Sequence, residues 1–176
     1  MTGKKIGLVA AVALLFLVGC SDDQGTIPGS GWSWQKKVFA PSAPLNWKCA
    51  AASADGARLY AGAYDCYVYI SHDAGQTWTS HMPGGIWIGL AASNDGKNVI
   101  GCIFDQALYQ SSDYGVNWRA VDPEGSNKYW TCAASSSDGS RLIAGQYRGY
   151  IYTSTDTGSS WTPRDPTGGV PVEDVI

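Results

Sequence analysis

A serine, a histidine and an aspartate are adjacent at Ser71, His72 and Asp73, and these residue types act as nucleophile, base and orienting acid in many hydrolases. Adjacent residues in one tight turn can hardly take those three positions around a substrate. The same stretch, SHDAGQTW, recurs as SSDYGVNW at 111–118 and STDTGSSW at 154–161, with serine and then threonine in place of the histidine. Because S-x-D-x-G-x-x-W is what persists, we interpret it as a structural turn and predict no catalytic residue in it.

Two further carboxylates, Asp65 and Asp105, occupy equivalent positions in a repeat whose third copy has Arg148. Paired carboxylates could do acid–base work on a glycoside, but Asp and Arg also suit exposed hairpin tips, which is the interpretation we favour. His81 has no Cys or carboxylate at ligand spacing, so we interpret it as a solvated loop residue. The sequence has no nucleotide-binding glycine loop and no zinc signature, and we therefore predict neither cofactor nor metal.

Three segments of the sequence align without a gap, at residues 47–78, 87–118 and 130–161. Each begins with Trp, continues through S-x-D-G and an apolar stretch rich in Gly and Ala, and ends with the octet. In the first copy, turn residues separate WKCAAAS, RLYAGAY, YVYIS and TWTS, which predicts four short strands per repeat. The aspartate of each turn accepts backbone N–H groups, and the glycine that follows adopts a positive φ.

The strands themselves indicate how the repeats pack. YVYI and RLIAG are apolar on both faces, which suits a sheet held between two others. Four-stranded sheets of about 40 residues, stacked face to face around an axis, are the blades of a β-propeller. We therefore predict an all-β fold over residues 32–176, with three full four-stranded blades and single flanking strands. The flanking strands would be WSWQKKVF, a lone fourth strand before the first blade, and GVPVEDVI, a first strand after the last.

The octet resembles the Asp-box, or BNR, repeat of sialidases, Vps10-type receptors, xyloglucan hydrolases and photosystem II assembly factors. The resemblance implies a propeller fold, and it implies that the box is a structural turn usually remote from the active site. It gives a structural role to Ser71, Asp73, Gly75, Trp78, Ser111, Asp113, Gly115, Trp118, Ser154, Asp156, Gly158 and Trp161. The box does not select a function, since one fold carries many unrelated activities.

The number of predicted blades, three and a half, falls short of the roughly four to eight that closed propellers use. Three explanations stay open: a fragment of a longer protein, a homodimer that completes a propeller of seven blades, or an open or irregular four-bladed form. We favour the fragment, because the sequence stops inside a predicted strand. Exposed strand edges and apolar sheet faces at both ends would in any case call for a partner.

Antiparallel alternation places the S-x-D-G turns and the boxes on one side of the blades and the remaining connections on the other. That other side varies among the repeats, so we predict the binding face there. Its candidate residues are Asp65, His81, Asp105, Arg148, Trp47, Trp87 and Trp130. With Tyr64, Phe104 and Tyr147, the tryptophans could form an aromatic rim that stacks sugar rings or a peptide, although packing between blades is the favoured interpretation.

The amino terminus has the pattern of an export signal. Lys4 and Lys5 precede an apolar run from Ile6 to Val18, which is shorter than a membrane-spanning helix of about 20 residues. The run ends in LVGC, which resembles the lipobox of bacterial lipoproteins, with cleavage before Cys20 and acylation of its thiol. We predict a signal peptide at 1–19, a linker at 20–31 and a lipid anchor in the bacterial cell envelope. In a Gram-negative host the anchor would lie in the outer membrane, facing the periplasm or the cell surface.

The other cysteines would lie in a compartment that permits disulfides. They are Cys49, Cys66, Cys102 and Cys132, and all three pairings stay open. So does the absence of a disulfide, because Cys49 and Cys132 share one repeat position where the middle copy has Gly89, and a small buried side chain would suit that position as well.

Two function classes remain. The first is a lipid-anchored, non-catalytic propeller that binds a protein or glycan or scaffolds the assembly of an envelope complex, and we favour it. The second is a fragment of a sialidase-like or other glycoside hydrolase. Arg58 and Arg141 do not support a sialidase arginine cluster, since they recur at one template position on the box side. Without Lys4 and Lys5, 10 of the 12 basic residues remain against 15 acidic ones, so we predict no nucleic-acid partner.

Overall fold

The computed structural model describes residues 24–26, 33–35, 45–64, 66–121, 123 and 129–165. Cys20, the predicted signal peptide, Asp65 and the predicted strand GVPVEDVI lie outside these ranges. No helix in the described part of the chain is long and apolar enough to cross a membrane.

Fourteen strands lie within the described ranges, numbered here in chain order. They are β1 (Gln24–Thr26), β2 (Ser33–Gln35), β3 (Trp47–Ala52), β4 (Leu59–Ala63), β5 (Cys66–Ser71), β6 (Thr79–Gly85), β7 (Trp87–Ala92), β8 (Val99–Ile103), β9 (Leu108–Ser111), β10 (Arg119–Val121), β11 (Trp130–Ser135), β12 (Leu142–Gln146), β13 (Ile151–Ser154) and β14 (Thr162–Arg164).

Each repeat forms one four-stranded antiparallel sheet in which neighbouring strands are also consecutive in the chain. Blade 1 is β3–β6, blade 2 is β7–β10 and blade 3 is β11–β14. The prediction of four strands per repeat is therefore confirmed. The segment predicted to supply a lone strand before blade 1 differs, because β2 pairs in antiparallel fashion with β1, which lies inside the predicted linker.

The first strand of every blade carries a bulge directly after its opening tryptophan. In blade 2 the register shifts between Trp87 and Gly89, and the same shift occurs in blades 1 and 3. A bulge adds one residue to one strand and so changes which face the following side chains meet. As a result, Trp87 and Leu90 face blade 1, whereas Ile88 and Ala91 face blade 3.

The core consists of two apolar layers, one between each pair of adjacent blades. The layer between blades 1 and 2 contains Tyr60, Val68, Ile70, Trp87, Leu90, Val99 and Ile103. The layer between blades 2 and 3 contains Ile100, Cys102, Leu108, Val121, Trp130, Leu142, Ala144 and Tyr152. Both faces of blade 2 are thus buried, which explains why its strands are apolar on both faces.

Three cysteines of the described part are free thiols, namely Cys49, Cys102 and Cys132. Each is paired across the first two strands of its blade with a glycine: Cys49 with Gly62, Cys102 with Gly89, and Cys132 with Gly145. In blade 2 the order is reversed, since the thiol stands on the second strand and the glycine on the first. A Cβ built on the glycine would lie 2.7, 3.1 and 2.9 Å from the sulfur in blades 1, 2 and 3. Each thiol therefore occupies the space that its glycine leaves.

Candidate functional site

The Asp box of blade 1 uses its polar groups within the turn. The hydroxyl of Ser71 donates to Asp73 Oδ1 at 2.8 Å and accepts from the backbone N–H of Gly75 at 2.8 Å. Asp73 also accepts from the backbone N–H and the hydroxyl of Thr77, at 2.8 and 2.6 Å. The hydrogen bonds from Thr77 and Ser71 lower the pKa of Asp73 to about 2. A carboxylate held in this way is a poor general base at neutral pH.

The other two boxes repeat this geometry. The hydroxyls of Ser111 and Ser154 donate to Asp113 and Asp156 at 2.8 and 2.7 Å. His72 takes no part in the hydrogen bonds between the serine and the aspartate of its box. Its Nδ1 lies 3.2 Å from Nη1 of Arg58. Ser71 is 1% exposed and bonded to the aspartate in place of the histidine, so the three adjacent residues do not form a catalytic triad.

The loop side, defined as the blade edge opposite the boxes, is built by one repeated backbone contact. The residue that follows the second strand donates its N–H to the carbonyl of the residue before the first strand. Tyr64 donates to Asn46 at 2.9 Å, Phe104 to Ile86 at 2.8 Å, and Tyr147 to Tyr129 at 2.7 Å. The contact anchors an aromatic residue at the same place in each blade, beside the first strands, which contact one another from blade to blade.

The aromatic rim, defined here as Tyr64, Phe104, Tyr129 and Tyr147, is open to solvent. The four side chains are 46%, 44%, 47% and 60% exposed, respectively. Phe104 and Tyr129 pack with ring centroids 5.2 Å apart. Large apolar side chains held half-exposed by a rigid scaffold are typical of a binding surface.

Two cations accompany the rim. Nζ of Lys48 lies 5.7 Å from the centroid of the Tyr64 ring, and the guanidinium carbon of Arg148 lies 5.4 Å from that of Tyr147. Both distances fall within the range of a cation–π contact. The loop side therefore combines aromatic faces with positive charge at two blades.

Asp105 and Arg148 lie at the exposed tips of the hairpins that join the second and third strands. Their φ angles are 57° and 51°, in the left-handed region. Asp adopts this region more readily than most residues, and both side chains are exposed. Their position agrees with the interpretation of hairpin-tip residues, and Asp65 lies outside the described residues.

Two of the three tryptophans predicted for the binding face, Trp87 and Trp130, are instead buried core residues. Trp87 and Trp130 are 0% exposed, because the bulge turns them toward the preceding blade. Trp87 packs edge to face on Trp118 at 5.2 Å, and Trp130 packs in the same way on Tyr152 at 5.3 Å. Trp47 is half-buried and contacts Tyr69 at 5.3 Å. Packing between blades, the favoured interpretation, therefore describes Trp87 and Trp130, which cannot reach a ligand.

The interpretation of His81 as a loop residue is wrong. It lies in β6, opposite Val68 of β5, and its Nε2 is 3.0 Å from the hydroxyl of Thr79. It is half-buried in the outer strand and away from the rim. Within the described ranges, no three His, Cys, Asp or Glu side chains come together as a metal site requires.

Sequence reasoning placed the connector RAVDPEGSNKY on the binding face but did not single out its last residue, Tyr129, for the rim, nor Lys48 as a cation beside the rim. Tyr129 directly precedes the opening tryptophan of its repeat, and Lys48 directly follows one. The repeat comparison drew attention to the tryptophans because they recur, whereas the exposed side chains are their neighbours. The bulges turn Trp87 and Trp130 into the core, and the residue types do not reveal where those bulges lie.

A scan against protein-family models finds no match for the chain. No curated protein matches it.

Solved structures match the fold. YCF48 bound to D1 peptide has a TM-score of 0.57 and 13% identity, over 68% of this chain and 40% of that chain. A GH74 xyloglucanase from Xanthomonas campestris has a TM-score of 0.52 and 22% identity, over 69% of this chain and 19% of that chain. A chain of the nidogen/laminin complex has a TM-score of 0.55 and 13% identity, over 66% of this chain and 47% of that chain.

These likenesses show that the three sheets are blades of a β-propeller. The chain spans less than half the length of each of these structures. At such identities they show the fold alone.

Proposed function

We propose that the protein is an exported, lipid-anchored β-propeller protein that binds a protein partner without catalysis, through the aromatic rim. The observation that supports this is the repeated anchoring of exposed aromatic residues on one edge of the blades. No comparable set of bonds positions a nucleophile or a base among the described residues. The rim thus favours recognition over chemistry.

The choice of a protein partner follows from the surface and from the structural neighbours. Tyrosine and phenylalanine offer large contact areas at a small cost in side-chain entropy. Lys48 and Arg148 add cations that suit carboxylates of a peptide. YCF48 is seen with a D1 peptide and nidogen with laminin, which are facts about those proteins and motivate the same class of ligand here. A glycan is the alternative ligand, because sugar rings also stack on aromatic faces.

The anchoring part of the proposal rests on the sequence around Cys20. A lipid on that thiol would hold the blades at the envelope membrane, where an envelope protein is the expected partner. Labelled palmitate should be incorporated into the wild-type protein in bacterial cells and not into Cys20→Ser. Equal labelling of both proteins would contradict the anchor.

Two other predictions are kept as proposals of lower rank. A fragment of a glycoside hydrolase is the first, and it rests on the paired carboxylates Asp65 and Asp105, of which Asp105 lies at an exposed hairpin tip. The second is a homodimer, and it would involve a different surface, the blade faces at the two ends of the described array.

Photocrosslinking in intact cells tests the rim. A benzoylphenylalanine at Tyr147 should crosslink to a protease-sensitive partner, whereas the same group at Val116, which is 49% exposed on the box side, should not. The partner identified in this way is then purified. Its affinity should fall about tenfold or more for the combined change Tyr64→Ala, Phe104→Ala and Tyr147→Ala, and should be unchanged for Val116→Ala. Equal affinity for both variants would exclude the rim.

A further inference from the structure

The box side of the blades carries a chain of backbone hydrogen bonds that runs from blade to blade. The N–H of Ala54 in blade 1 donates to the carbonyl of Asn94 in blade 2 at 2.8 Å. The N–H of Asn94 donates in turn to the carbonyl of Ser137 in blade 3 at 2.7 Å. Ala54, Asn94 and Ser137 occupy the same position in their repeats. The same backbone hydrogen bond therefore joins each pair of neighbouring blades.

A side chain closes each joint beside that bond. The residue before the second strand lies over the glycine of the next S-x-D-G turn, Arg58 over Gly96 and Asn98 over Gly139. A Cβ on Gly96 would come within 2.6 Å of Arg58 Cδ, and one on Gly139 within 2.7 Å of Asn98 Cβ. On the box side, both internal joints therefore include one such backbone bond and one side chain that covers a glycine.

Blade 3 presents the donor half of a third joint, for which no described residue supplies the acceptor half. Within the described residues, the N–H of Ser137 and the guanidinium of Arg141 have no partner. Ile143 is 41% exposed, although its equivalents Tyr60 and Ile100 are 0% and 1% exposed because the next blade covers them. A groove of about 400 Å³ lies on this face, lined in part by Ala134, Leu142 and Thr153.

Blade 1 presents the matching acceptor half at the other end of the array. The carbonyl of Ala54 accepts no hydrogen bond from any described residue. A Cβ on Gly56 would meet nothing within 4 Å, in contrast to Gly96 and Gly139. Beside it, Asp55 is bonded to Ser53 and Ala57 within its own turn, at 2.5 and 3.0 Å, and carries a negative charge toward solvent.

We propose that two copies of the chain join head to tail, with the open face of blade 3 in each copy receiving the back face of blade 1 in the other. The N–H of Ser137 then donates to the carbonyl of Ala54 in the second copy. Arg141 covers Gly56 and meets the opposite charge of Asp55. Two identical joints close the ring at six four-stranded sheets, within the roughly four to eight of known propellers. This interface is separate from the aromatic rim, so the two proposals stand or fall independently.

Sedimentation of the full-length protein in detergent at micromolar concentration tests the interface. The wild type should have twice the chain mass. Arg141→Glu and Asp55→Arg should each raise the dissociation constant of the dimer about tenfold or more, and the two changes together should restore the dimer. Lys97→Glu, an equal charge change on the exposed turn of blade 2, should leave the dimer intact. A wild-type monomer, or a dimer indifferent to both single changes, would overturn the proposal.

Disulfide trapping tests the geometry directly. In a Cys132→Ser background, Ala54→Cys with Asn94→Cys should form an intramolecular crosslink, because this joint exists within one chain. Ala54→Cys with Ser137→Cys should form a covalent dimer. If the first pair crosslinks and the second yields only monomer, a second copy does not occupy this face. An additional sheet from a longer chain would give that monomeric outcome and would likewise overturn the proposal.

Discussion

The guanidinium of Arg58 in blade 1 lies 3.9 Å from the centroid of the Tyr114 ring in the Asp box of blade 2. The contact links two blades on the box side, where the hydroxyl of Tyr60 also donates to the carbonyl of Gly96 at 2.5 Å. The repeated sequence therefore determines contacts between blades as well as turns, since Arg58 joins blade 1 to blade 2.

Replacing Arg58 by Ala should lower the free energy of unfolding by about 1 kcal/mol, because a partly exposed cation–π contact contributes roughly 0.5–1 kcal/mol. Lys97→Ala removes an exposed side chain and should change it by less than about 0.5 kcal/mol. Urea unfolding measures both. A double-mutant cycle with Tyr114→Leu should show coupling, and strict additivity would contradict the contact.

His72 should make stability depend on pH. Burial and the neighbouring Arg58 lower its pKa from 6.5 in the folded state. The folded protein therefore resists protonation of this ring, so the stabilisation is present above pH 6.5 and is lost as the pH falls below it. His72→Asn should flatten the decline of the unfolding free energy between pH 7 and pH 5. An identical decline in both proteins would exclude His72 as its source.

Ser71→Ala should destabilise the first Asp box. The change leaves the buried N–H of Gly75 without its acceptor, which typically costs about 1–3 kcal/mol. Ser80→Ala, on the exposed outer strand, is the matched control and should be close to neutral. The urea midpoints of the two variants give the comparison. Equal midpoints would mean that the box does not depend on its serine.

Gly62→Ala should destabilise the joint between blades 1 and 2. The added Cβ would lie 2.5 Å from Trp87 Cβ and 2.7 Å from the sulfur of Cys49, and overpacking of this kind costs about 1–3 kcal/mol. Gly84→Ala brings its Cβ no closer than 3.5 Å to Tyr67 and should be tolerated. Thermal unfolding distinguishes the two, and comparable loss in both would contradict the packing argument.

The buried thiol of Cys102 and the half-buried thiol of Cys49 should resist alkylation. Burial raises the pKa of Cys49 to about 12 and raises that of Cys102 as well, so neither forms thiolate at pH 7.5. In Arg141→Glu, in which the proposed second copy would not cover blade 3, N-ethylmaleimide should modify Cys132 well before either of them. Peptide mass spectrometry follows each site, with urea-unfolded protein as the control in which all three react. Early modification of Cys102 would contradict its burial.

The sequence predicted the blades well because each turn has its own short-range cause. Asp73 and Gly75, with their counterparts, fix where one strand ends and the next begins, and strand number then follows from the count of turns. The sequence between β1 and β2 does contain turn residues, Pro28-Gly29 and Ser30-Gly31, but the interpretation placed it in a linker and began the fold at residue 32. β1 is only three residues long, Gln-Gly-Thr, and has no apolar alternation that would indicate a strand.

The candidate site was predicted less completely. Recurrence singled out Trp87 and Trp130, yet recurring aromatic residues in a repeat protein are chiefly packing residues. Asp105 and Arg148 were placed correctly at the tips, because the hairpin has few conformations. The orientation of Tyr129 depends on a bulge whose position the residue types do not reveal. Predicting which way a side chain points therefore requires the strand register as well as the strand assignment.

In blade 2 the thiol stands on the second strand and the glycine on the first, the reverse of blades 1 and 3. This reversal limits which strands could be exchanged between blades. Strand exchange between duplicated units would bring Cys49 against Cys102, or Gly62 against Gly89, and so produce either a collision of two sulfurs or an empty hole. The first two strands of blades 1 and 2 are therefore not interchangeable. A duplication or deletion that preserves this packing must therefore include the first and second strands of a blade together.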